Sequence, residues 1–418
     1  MLRSKPAFRK PPPPPVRRCC VSDPYSDILS RESERPTNIE SLPTDLLLEI
    51  LLRLPADHLY ERARLVCRQW YHIIHSHAFI NAQMHGATYG LLLSFLDNNA
   101  LPLYVTADKD GGIHTSEINH TSKSGVLATC NGLVLELEAK GYYFPRLVVV
   151  NPATKQSFLL PPFPLLEVVN PATKQSFFLP PFPRGVAYDR LLYGFAYSAA
   201  SLAYKAIAPC TVRQSPRRLE TDYGLHVLTV GIDESWRDVE VHHLPDHVRS
   251  FFFHQSPLTS EGFLHWGSGR YCVTMDVETE IITLSEAPHQ YHENDYYYYL
   301  STGRCVSLLV ACGDLSWEVW EMKAETGEWR KALPNVELGA EKCRIQQFSD
   351  GALEPLGWVK YPQVLAFYFG AYYCHEKQIC HCILYNLDTH QLDSIELPHS
   401  YSRDHDVFPH KNNLIWLS

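Results

Sequence analysis

The chain has 418 residues, of which 45% are hydrophobic and 20% charged, a balance typical of a globular protein rather than a disordered chain. The formal net charge is -9, and the first 22 residues carry six basic side chains and no acid, so the remainder sums to -15. An acidic body argues against nucleic-acid binding as the main activity. Because the sequence contains no run of 18 apolar residues, we expect no membrane span.

The N-terminal segment, residues 1–38, is basic and rich in proline. It lacks the apolar centre of a secretory signal, and we expect a disordered tail here. Twelve cysteines in a chain without such a signal are expected to be reduced thiols rather than a disulfide framework. We therefore expect the protein in the cytoplasm, the nucleus or both.

Two amphipathic segments follow the tail, within residues 39–85. In the first, NIESLPTDLLLEILLRLP, Pro43 suits a first helical turn and Pro55 stops the helix. Its apolar stripe consists of Leu47, Ile50, Leu51 and Leu54. The second predicted helical stripe consists of Leu59, Ala63, Val66, Trp70 and Ile73. Helices this small cannot bury all of their apolar surface, so the pattern predicts either an exposed docking stripe or packing on the following domain.

From about residue 90 to residue 418, short apolar or aromatic runs alternate with turn residues, which is typical of antiparallel strands. One unit recurs, as in VTMDVETEIITL and ILYNLDTHQLDSIEL: a strand, a turn with Asn, Asp or Thr, and a return strand. The turn is marked at Thr173, Asp233, Thr279, Thr326 and Thr389, in steps of 60, 46, 47 and 63 residues. This spacing favours four-stranded propeller blades, with a β-sandwich as the alternative.

A near-perfect repeat stands out within this region. VVNPATKQSFLLPPFP (residues 149–164) and VVNPATKQSFFLPPFP (residues 168–183) match at 15 of 16 positions and differ only at Leu159 and Phe178. The offset of 19 residues is too short for a blade, so the copies are not two units of the fold. Each copy reads as one hairpin with NPAT as its turn. We expect one copy to fill a blade position and the other to form a surface loop or an extra hairpin.

Two clusters have residue types suited to a binding site. CHEKQICHC, from Cys374 to Cys382, contains ligand types that zinc prefers, but its spacing lacks a paired CxxC and strand alternation would split the candidates between two faces. YHENDYYYYL, from Tyr291 to Leu300, is either a recognition patch or a loop that leads into a tyrosine-rich strand. Strand structure is the favoured interpretation of both.

Motifs for nucleotide binding, metalloprotease activity or a nucleophile elbow do not occur in the sequence. WGSGRY, with Gly267 and Gly269, is interpreted as a turn signal. Cys130 is expected to be packed rather than nucleophilic. We therefore expect no catalytic residue, no metal site and no cofactor.

The first helical segment followed by LVCRQWYHII resembles the F-box motif over about 45 residues. The resemblance implies docking onto a Skp-type adaptor, which bridges to a cullin scaffold in an SCF ubiquitin ligase. The implied adaptor-binding positions are Leu42, Pro43, Leu46, Ile50, Leu51, Leu54, Pro55, Leu59, Val66, Cys67 and Trp70. Ala63 departs from the pattern, since related plant sequences often carry a larger residue or Cys there.

The remainder resembles the plant F-box-associated domain, through an ordered series of hairpin segments. These include LATCNGLVLEL, VVNPATKQSFFLPPFP, YGFAYSAASLAYKAI, SWRDVEV, EGFLHWGSGRYCVTMDVETE and WEVWEMKAETGEWRKA. VLAFYFGAYYCHEKQICHCILYNLDT completes the series. The resemblance implies a domain similar to a β-propeller that captures the protein to be ubiquitinated.

We therefore interpret the chain as mainly β, with a β-propeller-like C-terminal domain (residues 90–418) preceded by a small all-α F-box module (residues 39–85) and a tail (residues 1–38). The expected function is that of a non-catalytic substrate-recognition subunit that binds a Skp-type adaptor and a target protein, without nucleic-acid or membrane partners. The sequence indicates no substrate-binding residues. The alternatives are a propeller-fold, hydrolase-like enzyme and a non-ligase scaffold or decayed F-box copy.

Overall fold

The structure is a computed structural model that describes residues 42–94, 101–118, 126–138, 146–151, 153–154, 156–159, 166–169, 176–179, 192–213, 221–288, 296–313, 315–345, 352–370, 380–397, 406–411 and 414. The predicted tail, residues 1–38, lies outside this part of the chain. By its internal contacts the chain divides into two compact units, Met1–Leu47 and Leu48–Ser418. None of the described helices is long and apolar enough to span a membrane.

Four short helices occupy the N-terminal part of the described chain: α1 (Thr44–Leu52), α2 (Ala56–Glu61), α3 (Arg68–Ile74) and α4 (His77–Gly86). Pro55 caps the start of α2, and the Ser76 hydroxyl accepts a hydrogen bond from the backbone N–H of Phe79 at the start of α4. The second predicted stripe is not one helix. A 3-10 turn at Ala63–Leu65 follows α2, and Cys67 has an extended backbone (φ -157°, ψ 170°), so a new helix begins at Arg68.

The first three blades of the β domain are described in chain order. Blade one contains β1 (Gly90–Ser94), β2 (Leu103–Ala107) and β3 (Ile113–Glu117). Blade two contains β4 (Val126–Cys130), β5 (Leu133–Glu138), β6 (Arg146–Asn151) and β7 (Gln156–Leu159). The strands β8 (Leu166–Val169) and β9 (Ser176–Leu179) follow as a separate hairpin. Blade three contains β10 (Gly194–Ser198), β11 (Ala203–Arg213), β12 (Thr221–Thr229) and β13 (Arg237–Val239).

The second half repeats the same four-stranded plan. Helix α5 (Asp246–Arg249) precedes blade four, which contains β14 (Leu258–Ser260), β15 (Phe263–Ser268), β16 (Tyr271–Asp276) and β17 (Ile282–Glu286). Blade five contains β18 (Tyr297–Ser301), β19 (Val306–Gly313), β20 (Ser316–Lys323), β21 (Glu328–Lys331) and β22 (Val336–Glu337). Helix α6 (Lys342–Ile345) precedes blade six, which contains β23 (Ala352–Lys360), β24 (Val364–Gly370), β25 (Cys380–Asn386) and β26 (Leu392–Leu397).

The last described strand, β27 (Asp406–His410), closes the β domain. It pairs antiparallel with β1, with Leu92 opposite Phe408, and so becomes the innermost strand of blade one. Inner strands of consecutive blades contact one another, and β23 of blade six contacts β27 and β1. The six sheets therefore form a closed ring, which is a six-bladed propeller and not the two facing sheets of a sandwich. This confirms the predicted mainly β, propeller-like architecture.

Among the described residues, the core of the propeller consists of six apolar clusters, one between each pair of neighbouring blades. Each cluster contains fully or nearly fully buried side chains from both blades. Residues of neighbouring blades that share a cluster include Leu92 and Val134, Leu135 and Phe195, Val227 and Trp266, Cys272 and Met322, Trp317 and Phe367, and Val359 and Leu91. A blade buries its two faces only when both neighbours are in place, because each face contributes to a different cluster.

The predicted strand–turn–strand unit is the outer hairpin of a blade. The side-chain oxygen of Asp276 accepts hydrogen bonds from the backbone N–H groups of Glu278 and Thr279 at 2.8 and 2.9 Å, and that of Asn386 closes the same turn in blade six. The markers Asp233 and Thr326 lie in the corresponding turns of blades three and five. Blade one has an equivalent at Asp108, which the sequence pattern missed because glycines surround its turn.

The structure separates the two copies of the repeat. Strands β6 and β7 of the first copy are the outer hairpin of blade two, whereas β8 and β9 of the second copy pair with each other as a two-stranded sheet. This confirms that one copy fills the blade position and that the other is an extra hairpin. The marker Thr173 lies in the second copy, outside the described residues, and the residue that holds the blade position is Thr154.

Candidate functional site

The helical residues that follow Leu48 share a buried core and also carry large exposed apolar side chains. The core contains Leu51, Ala56, Leu59, Ala63, Ile74 and Phe79. Ala63, the departure from the F-box pattern, is buried in the 3-10 turn and packs within this core. Leu65 is 70% exposed, Val66 59%, Ile50 45% and Tyr71 44%. Exposed apolar side chains that are concentrated in one short segment are a recognised sign of a docking surface.

The eleven predicted adaptor-binding residues fall into three groups by exposure. The exposed group contains Pro43, Leu46, Ile50, Pro55 and Val66. The half-buried group contains Leu42, Leu54, Cys67 and Trp70. Leu51 and Leu59 are completely buried in the helical core. In this structure Leu51 and Leu59 support the fold of the segment, and the exposed group provides the side chains that a partner could reach.

Two exposed residues, Leu65 and Tyr71, were not among the predicted positions. Leu65 ends the 3-10 turn, where spacing of 3.6 residues no longer describes which side chains share a face. Tyr71 lies on α3, and its ring stacks on that of His75 with centroids 4.0 Å apart. The His75 Nδ1 atom is 2.8 Å from the Tyr71 carbonyl oxygen, which holds this aromatic pair at the surface. A sequence search for apolar residues next to a helical stripe could have found both.

The outer hairpin of blade two joins the helical segment to the propeller. Ala153, in the turn of the first repeat copy, is buried in the same cluster as Leu51 and Phe79. The Asn151 side-chain oxygen accepts hydrogen bonds from the backbone N–H groups of Ala153 and Thr154 at 2.9 and 3.1 Å, which sets the turn. The NPAT turn of the first copy is therefore part of the junction between the helices and blade two.

A second contact at the junction comes from the C-terminal end of the described chain. Leu414 packs in the helical core, and its backbone N–H donates to the Gln83 side-chain oxygen at 3.2 Å. Two parts of the chain that are far apart in sequence, the blade-two turn at Ala153 and Leu414 after β27, therefore contact the helical segment.

The enzyme alternative requires convergent carboxylates near the central channel. A cavity of about 270 Å³ lies at one end of the inner strands, and its described lining contains one carboxylate, that of Glu261. Burial raises the pKa of Cys130, which also lines this cavity, to about 12. The thiol is therefore neutral near pH 7 and suited to packing, as expected from the sequence.

The predicted zinc candidate and the tyrosine-rich segment lie only partly in the described chain. Cys374 to Ile379 and Tyr291 to Asp295 lie outside it. Cys382 is buried in β25, and no group of three potential metal ligands occurs among the described residues. Tyr297 to Leu300 form part of β18, which confirms the strand interpretation for that part of the segment. Gly267 also differs from expectation, because it lies within β15 and not in the turn at Gly269.

Comparison with known families places one domain in the chain. Residues 39–81 match the F-box domain, and the N-terminal helices of the structure coincide with that region. The F-box protein CPR1 of Arabidopsis thaliana is 27% identical over 54% of this chain and 53% of its own length. An F-box/LRR-repeat/kelch-repeat protein of the same plant is 35% identical over 29% of this chain and 32% of its own length. The chain thus aligns with about half or less of the length of these two relatives.

Among solved structures, TolB from Acinetobacter baumannii aligns with 80% of this chain and 70% of its own, with a TM-score of 0.37 and 9% identity. This similarity is too weak to indicate function. The F-box match at residues 39–81, the Arabidopsis F-box relatives and the six-bladed arrangement together fit a plant F-box protein with a C-terminal β-propeller-like domain.

Proposed function

We propose that this chain is the substrate-recognition subunit of an SCF-type ubiquitin ligase. The observation that carries the proposal is the group of exposed apolar side chains, including Ile50 and Val66, within the segment that matches the F-box domain. This group would bind a Skp-type adaptor and, through it, a cullin scaffold. Burial of these side chains by a partner would remove apolar surface from water, which is the main driving force of such interfaces.

The propeller would capture the target protein. Tethering the target to the ligase raises the effective concentration of its lysines near the ubiquitin-charged enzyme, so the chain itself needs no bond-making residue. The cytoplasm and the nucleus are the compartments proposed for this activity.

A charge placed in the exposed apolar group tests the adaptor contact. The substitution Val66→Glu should weaken binding to a purified Skp-type adaptor by about 100-fold, because burying an unpaired carboxylate costs roughly 2–3 kcal/mol or more. Ile232→Glu is the matched control, because Ile232 is 69% exposed on the propeller. Isothermal titration calorimetry measures both affinities, and circular dichroism checks that both variants fold. Adaptor affinity that is equal in the wild type and a folded Val66→Glu protein would refute the docking assignment.

Target capture separates a receptor from a scaffold or a decayed copy. Affinity capture of the intact chain, with the proteasome blocked, should recover the same target with wild type and Val66→Glu. Without the block, the target should accumulate only with Val66→Glu, since that variant binds it without delivering it. A target whose abundance is the same with both proteins would favour the scaffold.

A further inference from the structure

The cavity of about 270 Å³ lies where the inner strands of the propeller end. Cys130 is the last residue of β4 and Ser260 the last residue of β14, while Gly303 and Lys411 follow β18 and β27 closely. Four blades therefore contribute to one mouth of the central channel through these residues. Met84 and His85 of α4, with Tyr89 between α4 and β1, line the same cavity. The cavity is thus enclosed jointly by the propeller and the helical segment.

Lys411 brings a buried positive charge to this cavity. Its side chain is only 9% exposed, and its Nζ atom lies 3.9 Å from the nearer carboxylate oxygen of Glu261. The same atom lies 4.1 Å from the centroid of the Tyr89 ring. Within the described part of the chain, the ammonium group donates no hydrogen bond. Because a buried charge is costly without close hydrogen-bonded partners, this arrangement leaves room for an acceptor from outside the chain.

The surroundings of Lys411 favour a negatively charged acceptor. Burial raises the pKa of Tyr89 and of Cys130, so both groups are neutral near pH 7. The Glu261 side chain is 56% exposed, so solvent weakens its interaction with Lys411 without removing it. Burial lowers the pKa of Lys411, Glu261 opposes this effect, and Arg304 adds a smaller lowering. Glu261 provides the one carboxylate in the described lining of the cavity, and an incoming anion would compete with it for Lys411.

The position of Tyr89 is set by close packing. A Cβ atom at Gly303 would lie 2.5 Å from the Tyr89 ring, so the absence of a side chain at Gly303 lets the ring rest against the backbone. Gly303 also has a φ of +86°, a conformation that favours glycine. The ring is thus held between the turn after β18 and the Lys411 ammonium group. Met84 and Tyr197 provide further apolar surface in the same cavity.

We propose that this cavity binds a small organic oxyanion, a carboxylate or a phosphate ester, whose charged group accepts hydrogen bonds from Lys411 and whose apolar body packs against Met84 and Tyr197. The ligand would contact α4 and the inner strands together. Its binding would therefore stabilise the junction between the helical segment and the propeller, by an amount that grows with the logarithm of its concentration above the Kd. This site does not depend on the proposed ligase function, since it requires only the folded chain.

The test uses the full-length protein and three probes of similar shape: benzoate, phenyl phosphate and the neutral amide benzamide. Ligand-observed NMR at millimolar concentration should detect benzoate, phenyl phosphate or both, and should not detect benzamide. The two anions separate carboxylate from phosphate specificity. The substitution Lys411→Met should weaken anion binding at least about 10-fold, equivalent to 1.4 kcal/mol. Lys109→Met is the matched control at an exposed lysine and should leave binding unchanged.

Glu261→Gln provides a second arm that does not depend on the stability of the Lys411 variant. Because it removes the carboxylate that competes for Lys411, the anion should bind about two- to fivefold more tightly, a change of under 1.4 kcal/mol. The proposal is overturned if neither anion binds the wild type, or if benzamide binds as well as the anions. It is also overturned if folded Lys411→Met binds normally or if Glu261→Gln leaves affinity unchanged or lower.

Discussion

Lys205 of blade three and Glu280 of blade four form an ion pair across the blade interface, with 2.7 Å between the Lys205 Nζ and Glu280 Oε1 atoms. Arg237, also of blade three, donates hydrogen bonds of 2.9 Å to each oxygen of the same carboxylate. The Lys205 side chain is 8% exposed and that of Glu280 is 20% exposed, so water screens this pair only weakly. Glu280, which lies in the turn between β16 and β17, thus binds two cationic side chains of the neighbouring blade.

Removal of the Glu280 charge should destabilise the propeller. We expect Glu280→Gln to lower the free energy of unfolding by about 2 kcal/mol, because Lys205 loses its charged partner while keeping a hydrogen bond to the Glu278 carbonyl oxygen. Urea unfolding followed by fluorescence measures the loss. Glu286→Gln, at an exposed carboxylate of the same blade, is the control and should change stability by less than about 0.5 kcal/mol. Equal losses in the two variants would contradict the assigned role.

The same substitution has a pH signature. Hydrogen bonds from Arg237 and then from Lys205 lower the pKa of Glu280 in the folded protein, against the opposing effect of burial. A carboxyl group with a depressed pKa stabilises the folded protein fully when the pH is above the unfolded-state pKa of about 4.3. This contribution is lost as the pH falls through the folded-state pKa. The stability difference between wild type and Glu280→Gln should therefore be constant near neutral pH and shrink below about pH 4. A difference that grows on acidification would contradict the ion pair.

Gly267 lies under the ring of Tyr299, which belongs to the next blade. A Cβ atom at position 267 would be 2.1 Å from Tyr299 Cγ, and the Tyr299 hydroxyl donates to the Gly269 carbonyl oxygen at 2.9 Å, which fixes the ring. We expect Gly267→Ala to cost about 2–3 kcal/mol of stability, because the ring and the strand must separate. Thermal unfolding measured by calorimetry checks this value.

Two further variants isolate that contact. Gly313→Ala has no heavy atom within 4 Å of the added Cβ and should leave the unfolding temperature nearly unchanged. In the Gly267→Ala background, Tyr299→Ala should cost less than it does in the wild type, since it removes the steric overlap. Additive costs for Gly267→Ala and Tyr299→Ala would show that the contact does not limit stability.

The two repeat copies should differ in their importance for folding. Asn151→Ala should lower the free energy of unfolding by about 1–3 kcal/mol, because it leaves the backbone N–H groups of Ala153 and Thr154 without their acceptor at the buried junction. Asn170→Ala changes the equivalent residue of the second copy and is the matched control. It should have little effect, since β8 and β9 pair only with each other among the described strands. Urea titration of both variants makes the comparison.

A deletion extends this prediction. Removal of residues 165–183 takes out the second copy and leaves the first intact, and we expect cooperative unfolding at nearly the wild-type temperature. A large loss of stability in the deletion, or equal losses in Asn151→Ala and Asn170→Ala, would show that both copies are structural.

Several features of the chain follow from local sequence. Asp276 and Asn386 bond backbone groups two and three residues ahead, so the turns they form, and hence the blade spacing, can be predicted from a few letters. The F-box segment is equally local, since its helix boundaries depend on Pro55 and Ser76. The offset of 19 residues between the repeat copies was enough to predict that one copy is extra to the blade.

Other features depend on contacts between residues far apart in the chain. The ring closes because Phe408 pairs opposite Leu92, and neither residue's neighbours in sequence indicate that partner. The first repeat copy occupies blade two, where its Ala153 meets the helical core, although the second copy carries the same turn letters. Leu51 is buried while its neighbour Ile50 is exposed, and a helical stripe assigns both to one predicted surface.

The sequence by itself therefore determined the F-box segment, the strand–turn units and the blade-like spacing. The tertiary structure alone decided the number of blades, the copy that is built in, the residues left for a partner and the position of Lys411 in the channel cavity. The physical reason is the range of the interactions. Turn and helix signals arise from hydrogen bonds within a few residues, whereas burial and cavity formation arise from packing between segments that only the closed ring brings together.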